Sequence, residues 1–247
     1  MGTDWKHSTA VADGFDAYDD LPERVLGYAT VFDRLGEDVR TVLDYGCGPG
    51  KVALRLAEAR DVDVIGVDIS ERMLEIAREV RPHPRVDYRR IESGRVPFLG
   101  DGSVDAAISC YVYINIGDLD VIRAIAAEVH RVLRPGGRYA VLDTNPDTTG
   151  VQFSTFRNGE PGLDYAKGQR RQVLLNRPDG EVLELSDYHW PRQTYGEVLA
   201  DAGFTSVEYS TPVLGDIPGA QVAGTLLDTG RPAEAEAAPF LIVTGVK

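Results

Sequence analysis

The chain has 247 residues, with 26 Lys and Arg against 39 Asp and Glu, so its formal net charge is -13. Because non-specific nucleic-acid affinity comes mainly from basic side chains, this balance disfavours nucleic acid as a partner. No apolar run approaches the ~20 residues of a membrane span, and the acidic N-terminal stretch lacks the pattern of a signal peptide. We therefore expect a cytoplasmic protein with no membrane partner, as a monomer or a homodimer.

Strands and helices are predicted to alternate over residues 40–145, because short apolar runs are followed by segments with apolar residues at helical spacing. The predicted strands are TVLDYG, DVIGVDIS, VDAAISCYVY and RYAVLDTN. The predicted helices are KVALRLAEAR, ERMLEIAREV with Ser70 as its N-cap, and DLDVIRAIAAEVHRVL, which RPGG ends. This alternation predicts a parallel sheet covered on both faces, whose ligands bind at the carboxyl ends of the strands.

The pattern changes after Asn145, and residues 147–169 have no clear period. A turn signal at Arg177-Pro178-Asp179-Gly180 separates QRRQVLLN from EVLELSDYHW, which predicts an antiparallel hairpin. TYGEVLADAGF is a predicted helix, and SVEYSTPVL and PFLIVTGVK are the last two predicted strands. About 20 residues of loop separate these strands, including the acidic stretch RPAEAEAAP, and loops of this length are often functional. PERVLGYATVFDRL is a predicted amphipathic helix before the first strand.

The stretch VLDYGCGPG (Val42–Gly50) has the glycine density of a phosphate-binding loop but departs from both common patterns. Lys51 stands where the third glycine of G-x-G-x-x-G belongs, and Val52 replaces the Ser or Thr of a Walker loop. Asp44 directly precedes the glycines, where a carboxylate repels a pyrophosphate and attracts a cation. Asp68 ends the second strand, where an acid can bind both ribose hydroxyls. The pattern indicates a nucleoside with a cationic end, which describes S-adenosylmethionine (SAM).

Four segments, in this order and spacing, resemble the motifs of class I SAM-dependent methyltransferases: VLDYGCGPG, VIGVDISERMLEIAR, RVPFLGDGSVDAAIS and EVHRVLRPGG. The resemblance implies a Rossmann-like, doubly wound α/β fold. Its sheet is seven-stranded and mostly parallel, with an antiparallel last strand and a small β-hairpin insertion as a cap. It implies a single methyltransferase domain over residues 1–247, made of an N-terminal helical lid (1–38), a SAM-binding core (40–145), a substrate-cap insertion (147–190) and a C-terminal helix with the last strands (191–247).

The resemblance also implies which residues bind the cofactor. Asp68 holds the ribose hydroxyls, while Glu92 meets the adenine amino group although it replaces a more usual Asp. Met73 fits the core of its helix as well as an adenine contact, and Cys47 also fits a small buried core residue. The expected cofactor-binding residues are Tyr18, Asp44, Gly46, Cys47, Gly48, Gly50, Asp68, Ile69, Met73, Glu92, Ser93, Cys110 and Tyr111.

The candidates for catalysis or acceptor contact are His189, Tyr111 and Tyr28. Many relatives carry a histidine just past the strand of VDAAISC, but Ile114 and Asn115 occupy that region here. His189 lies in a segment that runs beside the acceptor pocket in similar methyltransferases; the alternative is a strand histidine with no catalytic role. No metal is expected, because the acids after this strand read as a helix start.

The expected activity is transfer of a methyl group from SAM to an oxygen or nitrogen of a small molecule, in natural-product or small-metabolite biosynthesis. In-line displacement needs mainly proximity and desolvation, and S-adenosylhomocysteine (SAH) is the product. The insertion favours an aromatic or apolar acceptor, since it carries Phe153, Phe156, Tyr165, Tyr188 and Trp190. Two alternatives remain: an RNA or protein methyltransferase, and a non-methylating SAM-binding protein such as a cyclase.

Overall fold

The computed structural model describes residue 3, residues 8–216 and residues 233–247. The helices in these residues are α1 (Thr9–Asp16), α2 (Ala29–Arg34), α3 (Lys51–Ala59), α4 (Glu71–Val80), α5 (Leu119–Val132) and α6 (Arg192–Asp201). The strands are β1 (Thr41–Tyr45), β2 (Asp63–Asp68), β3 (Val86–Arg90), β4 (Val104–Cys110), β5 (Leu133–Thr144), β6 (Phe156–Asn158), β7 (Gln169–Asn176), β8 (Val182–His189), β9 (Thr205–Ser210) and β10 (Phe240–Val246). Most of the predicted loop between the last two strands, with the start of its acidic stretch, lies outside the described residues.

Seven strands form one sheet in the order β3-β2-β1-β4-β5-β10-β9. β10 is antiparallel to both of its neighbours, and the other pairs of this sheet are parallel. The chain changes direction across the sheet between β1 and β4, which is where ligands of open α/β sheets bind. Tyr45, Asp68 and Cys110 end β1, β2 and β4 at this edge. The predicted doubly wound fold with an antiparallel last strand is confirmed.

Two details of the main sheet correct the expectation. β3 is absent from the predicted elements, because it is an edge strand in which Tyr88 is buried while Asp87 and Arg89 are exposed. The helix ends just before RPGG, as predicted, but β5 begins at Leu133, so RPGG already lies inside the fifth strand together with RYAVLDTN. VDAAISCYVY is a strand only as far as Cys110.

Helices cover both faces of the sheet and bury two apolar layers. On one face Leu56 of α3 and Leu74 of α4 pack in a cluster with Leu142 of β5. On the other face Val129 of α5 and Leu199 of α6 belong to a second cluster. Each fully buried aliphatic side chain contributes about 1.5–3 kcal/mol. The two layers therefore fix the edge of the sheet where β1, β2 and β4 end.

The insertion is a separate three-stranded antiparallel sheet in the order β6-β7-β8, not the predicted hairpin. β7 and β8 pair from Gln169 opposite His189 to Asn176 opposite Val182, which confirms the hairpin part of the prediction. β6 is absent from the predicted elements, because its three residues are too few to show an alternating pattern of apolar and polar side chains. The apolar side chains of this sheet join the core cluster that contains α3, and they are Phe156, Val173, Leu175 and Leu185.

The segment before β1 is helical, as expected, but it is not one regular helix. A π-helical stretch, Glu23–Tyr28, runs directly into α2. π-helical turns are rare and recur at functional sites. This stretch buries Glu23, Leu26 and Tyr28 against the body of the protein.

The glycine loop after β1 has no room for a side chain at Gly46, whose φ is +79°. A Cβ there overlaps the Cγ2 methyl of Val112.

We expect Gly46→Ala to lower the free energy of unfolding by about 2–4 kcal/mol, from left-handed backbone strain plus overpacking. Gly136→Ala is the matched control, because Gly136 has φ +76° and no atom of the described residues within 4 Å of a Cβ. Urea denaturation should give a loss of only about 1 kcal/mol for the control; equal losses would contradict the packing argument.

Candidate active site

A cavity of about 330 Å³ opens at the carboxyl ends of β1, β2 and β4. Its lining comes from two groups of residues. The loop side is formed by segments that follow β1, β2 and β3, and it includes Gly46, Gly48, Asp68, Ile69, Glu92 and Ser93. The insertion side is formed by the N-terminal segment, the turn after β4 and the second sheet, and it includes Tyr18, Glu23, Tyr28, Tyr111, Phe156 and Asn158. The two sides belong to one continuous space.

Asp68 organises the loop side. Its Oδ2 accepts a hydrogen bond from the backbone N–H of Gly48 at 2.9 Å, and its Oδ1 accepts one from Ser70 at 2.8 Å. The surrounding protein desolvates the carboxyl and raises the pKa of Asp68, although these backbone donors act in the opposite direction. Each carboxylate oxygen has two lone pairs, so both oxygens can still accept a hydrogen bond from a hydroxyl group of a ligand.

Asp44 is a buried acid at the end of β1 whose two carboxyl oxygens have no hydrogen-bond partner among the described residues. Burial, and then the nearby charge of Asp68, raise the pKa of Asp44 to about 7. An unpaired buried carboxylate is costly unless it is neutral or meets a cation. Two acids at this edge therefore fit a ligand that joins a ribose to a positive group, and they do not fit a pyrophosphate.

Lys51 lies beside this loop, but its side chain faces the N-terminal segment. Its Nζ donates to the carbonyl oxygens of Tyr18 at 2.8 Å and Phe15 at 3.2 Å. Asp20, three residues before Glu23, is bound by Arg55 of α3 at 2.5 and 3.0 Å. These bonds hold the N-terminal segment against α3 and over the cavity.

Glu23 is a buried acid on the insertion side. Tyr18 Oη donates to its Oε1 at 2.7 Å, and Tyr18 Oη also lies 2.7 Å from Thr155 Oγ1. The other oxygen, Oε2, is buried with no hydrogen-bond partner in the described part of the chain. Burial is the main cause that raises the pKa of Glu23 to about 8; Asp20 acts in the same direction, while the Tyr18 bond, its own backbone amide and Lys51 oppose it.

A buried ion pair lies in the second sheet. Arg171 binds Asp187 through Nε at 2.7 Å and Nη2 at 3.1 Å, and it also donates to Thr144 and Thr149. Asn158 donates to Asp187 Oδ2 at 2.8 Å, and Asn158 Oδ1 is buried without a partner in the described residues. Asn158, Asp187 and Thr144 line the cavity, so this network gives the apolar wall one polar edge.

The cavity collects most of the residues predicted from sequence. Those in its lining are Tyr18, Tyr28, Gly46, Gly48, Asp68, Ile69, Met73, Glu92, Ser93, Cys110 and Tyr111. Met73 is also buried in a small cluster with Ala12 and Ile76, so both interpretations of it fit. The cofactor and acceptor contacts of these residues stay predictions.

Four predicted residues do not line the cavity as the structure describes it: Asp44, Cys47, Gly50 and His189. Cys47 is buried beside Gly66 of β2, and Gly50 precedes α3 where Tyr88 fills the space next to it. His189 is half-buried at the end of β8, with its ring centroid 6.1 Å from that of Tyr165. Burial, and then Arg171, lower the pKa of His189. Its catalytic role stays a prediction that the position does not support.

Sequence reasoning missed Glu23 and the network of Arg171, Asp187 and Asn158. A signal for Glu23 exists, because an acid at position 23 shares a helical face with Gly27 and Val31, which are buried. The ion pair leaves a weaker signal: Arg171 and Asp187 occupy inward positions in strands that otherwise alternate apolar and polar residues. Pairing of the two strands in space is needed to bring them together.

Within the described residues, no group of three or more His, Cys, Asp or Glu side chains is placed to hold a metal ion. No helix in the described ranges is both long enough and apolar enough to cross a membrane.

The strand order and the acids at the ends of β1 and β2 define a Rossmann-like nucleoside-binding protein, and the comparisons specify it further. A family model described as a methyltransferase domain matches residues 42–137. An N-demethylindolmycin N-methyltransferase of Streptomyces griseus is 38% identical over 220 residues, covering 86% of this chain and 92% of the relative. A ubiquinone/menaquinone biosynthesis C-methyltransferase of Desulfotalea psychrophila is 32% identical over 188 residues, covering 71% of this chain and 70% of the relative.

A crystal structure of a SAM-dependent methyltransferase from Mesorhizobium loti shares the fold, with a TM-score of 0.58 and 21% identity over 88% of this chain and 96% of that chain. This chain belongs to the SAM-dependent methyltransferases. It is an enzyme, and SAM is its cofactor.

Because the pKa of Glu23 is raised in the folded protein, the free energy of unfolding should depend on pH. Between about pH 4.5 and pH 8 the unfolded chain ionises at this residue while the folded chain does not, so this carboxyl makes the folded state less stable as the pH rises. Glu23→Gln removes the effect. Between pH 5 and pH 8.5 the free energy of unfolding of the wild type should therefore fall, relative to that of Glu23→Gln, by an amount on the order of 3 kcal/mol.

Urea denaturation across this pH range measures the difference between the two proteins. Glu37→Gln, at an exposed position before β1, is the control and should follow the wild-type curve. Parallel curves for the wild type and Glu23→Gln would show that the carboxyl is already ionised at neutral pH.

Proposed function

We propose that this enzyme methylates a nitrogen or oxygen of a small, largely apolar molecule, within the biosynthesis of a natural product or small metabolite. The observation that carries the proposal is the continuity of the cavity. The loop side suits a cationic nucleoside, and the insertion side suits an apolar acceptor beside it. The relative of 38% identity is named as an N-methyltransferase of N-demethylindolmycin, which supports this class of acceptor.

The loop side would hold SAM through the residues predicted from sequence. Asp68 would accept the ribose hydroxyls, with Gly46 and Gly48 leaving space for the methionine arm. Asp44, without a partner among the described residues, would compensate the positive end of the ligand. Ile69 and Met73 would pack on the adenine, while Glu92 and Ser93 would meet its polar edge, and Cys110 would lie along the methionine arm.

SAM supplies a methyl group on a cationic sulfur, so the leaving group is neutral and needs no acid. The chain must then hold the acceptor in line with that methyl and exclude water, and orientation alone can contribute about 7–11 kcal/mol. On the insertion side Phe156, Val173, Leu175 and Leu185 form an apolar wall next to the lining tyrosines, Tyr28 and Tyr111. Tyr111 Oη is buried without a partner in the described residues, so it can donate to an acceptor atom.

The charges of the cavity disfavour RNA as the acceptor. Of the described residues that line the cavity, Lys51 is the sole positively charged one, and its ammonium already binds backbone carbonyls. The acids in the lining are Asp20, Glu23, Asp68, Glu92 and Asp187. A phosphate backbone would be repelled here, whereas a neutral or cationic small molecule would not.

Turnover with defined acceptors tests the proposal. The enzyme is incubated with SAM and, separately, with N-demethylindolmycin, a panel of small heteroaromatic amines and phenols, total RNA and a protein extract. We expect SAH and a product heavier by one methylene unit with at least one small molecule. SAH formed with RNA or protein alone would support a macromolecular acceptor, and an altered small molecule without SAH would support a cyclase.

Replacement of Asp68 tests the cofactor assignment. Asp68→Ala removes charge-assisted hydrogen bonds to the ribose, so SAM affinity should fall by at least ~1.5 kcal/mol, about tenfold. Asp63→Ala is the control, since Asp63 is exposed at the other end of the same strand. Titration calorimetry measures both affinities, with thermal unfolding to confirm that each variant is folded. Unchanged affinity in Asp68→Ala would refute the ribose assignment.

A further inference from the structure

We propose that Glu23 is the proton acceptor of the methyl-transfer reaction, with its free Oε2 facing the acceptor and its Oε1 held by Tyr18. This inference rests on the proposed function, because it assumes an acceptor atom that carries a proton. It assigns a chemical role to a residue in the N-terminal segment, which the resemblance to the family leaves as a lid.

The surroundings of Glu23 are not those of a structural acid. Buried carboxylates in protein cores are normally paired with a cation. None of the cations in the described residues forms an ion pair with Glu23, since Arg24 and Arg55 bind Asp20 and the Lys51 ammonium binds carbonyl oxygens. The bond from Tyr18 satisfies one oxygen and leaves Oε2 buried and unpartnered beside the cavity. This placement costs stability, which is a common property of functional groups.

The other titratable groups on the insertion side are hydroxyl donors or carboxylates already bound by an arginine. Burial raises the pKa of the Tyr18, Tyr28 and Tyr111 hydroxyls well above their usual value, so they remain donors. Asp187 is bound by Arg171 and Asn158, and Asp20 is bound by Arg55. Glu23 therefore combines a carboxyl oxygen without a partner in the described residues with a place in the cavity lining.

The charge of the cofactor prepares this carboxyl. A cation in the same cavity favours the ionised form, so binding of SAM lowers the pKa of Glu23 from about 8 and releases a proton. A base with a pKa near the working pH is the most effective kind. Tyr18, Asp20, Tyr28, Lys51, Arg55 and Tyr111 are the titratable and charged groups that face it. Burial raises the pKa of the three tyrosines and lowers that of Lys51.

The step balances without any further reactant. A bond forms between the acceptor nitrogen or oxygen and the methyl carbon, and the bond between that carbon and sulfur breaks with its electron pair on sulfur. The proton of the acceptor N–H or O–H moves to Glu23 Oε2 and later exchanges with solvent. The positive charge of the sulfonium and the negative charge of Glu23 disappear together, so the cavity gains no net charge.

Glu23→Gln tests the role, because glutamine keeps the shape and the hydrogen bond from Tyr18 but cannot take the proton. Loss of a general base lowers kcat by about 10²–10⁴-fold. We expect a loss of at least ~100-fold in kcat at pH 7.5, with KM for SAM changed less than ~3-fold. The wild-type rate should rise with pH to a plateau, and Glu23→Gln should lose this rise. Glu23→Asp should recover part of it.

Glu234→Gln is the matched control. Glu234 is also buried, its Oε1 accepts from Ser154, and its Oε2 has no partner among the described residues, but it does not line the cavity. This variant should keep the wild-type kcat and pH profile. A wild-type kcat in Glu23→Gln, or equal losses in both variants, would overturn the proposal.

Binding separates this inference from the proposed function. Calorimetry in two buffers of different ionisation enthalpy, at pH 7.5, gives the number of protons released on binding. The wild type should release more protons with SAM than with SAH, which lacks the sulfonium charge, and Glu23→Gln should reduce that difference to the part that Asp44 contributes. If no tested acceptor yields SAH, the proposed function fails, but equal proton release by the two proteins would still overturn the role of Glu23.

Discussion

The ammonium of Lys51 connects the glycine loop to the segment that closes the cavity. Lys51 occupies the sequence position of the third glycine of a phosphate-binding loop, yet its ammonium binds the backbone carbonyls of Phe15, in the last turn of α1, and of Tyr18, just before the π-helical stretch. Removing those carbonyls would leave a buried charge without these hydrogen bonds, so the loop and the segment are coupled energetically. The position of Glu23 beside the cavity, and the enclosure of the insertion side, depend on this coupling.

Sequence patterns predicted the fold, and they predicted which strand ends meet at the edge of the sheet, because both depend on local signals. Asp44, the three glycines and Asp68 occupy the ends of two apolar strands, and parallel strands bring such ends to one edge. β3 and β6 were missed because one is an exposed edge strand and the other has three residues. Glu23 and Arg171 were missed for a different reason: their meaning lies in partners such as Tyr18 and Asp187, which only the tertiary structure brings near.

The two sides of the cavity treat charge in different ways. On the loop side Asp68 receives backbone donors, while Asp44, buried outside the lining, has a desolvated carboxyl with no partner in the described residues. On the insertion side the carboxyl of Asp187 is neutralised by Arg171, and that of Glu23 is left with one free oxygen. A cavity with acids on both sides and one engaged lysine is suited to a cation that loses its charge during the reaction.

The buried ion pair in the second sheet has a consequence for how such an enzyme changes its acceptor. Arg171, Val173 and Leu175 point to the same face of β7, since side chains alternate along a strand. The ion pair anchors one end of that face through β8 and the end of β5, and the apolar residues beside it line the cavity. The apolar side chains can therefore be replaced by larger or smaller ones while the anchored strands keep their register. If this face holds the acceptor, as proposed, such substitutions would change acceptor choice without a new fold.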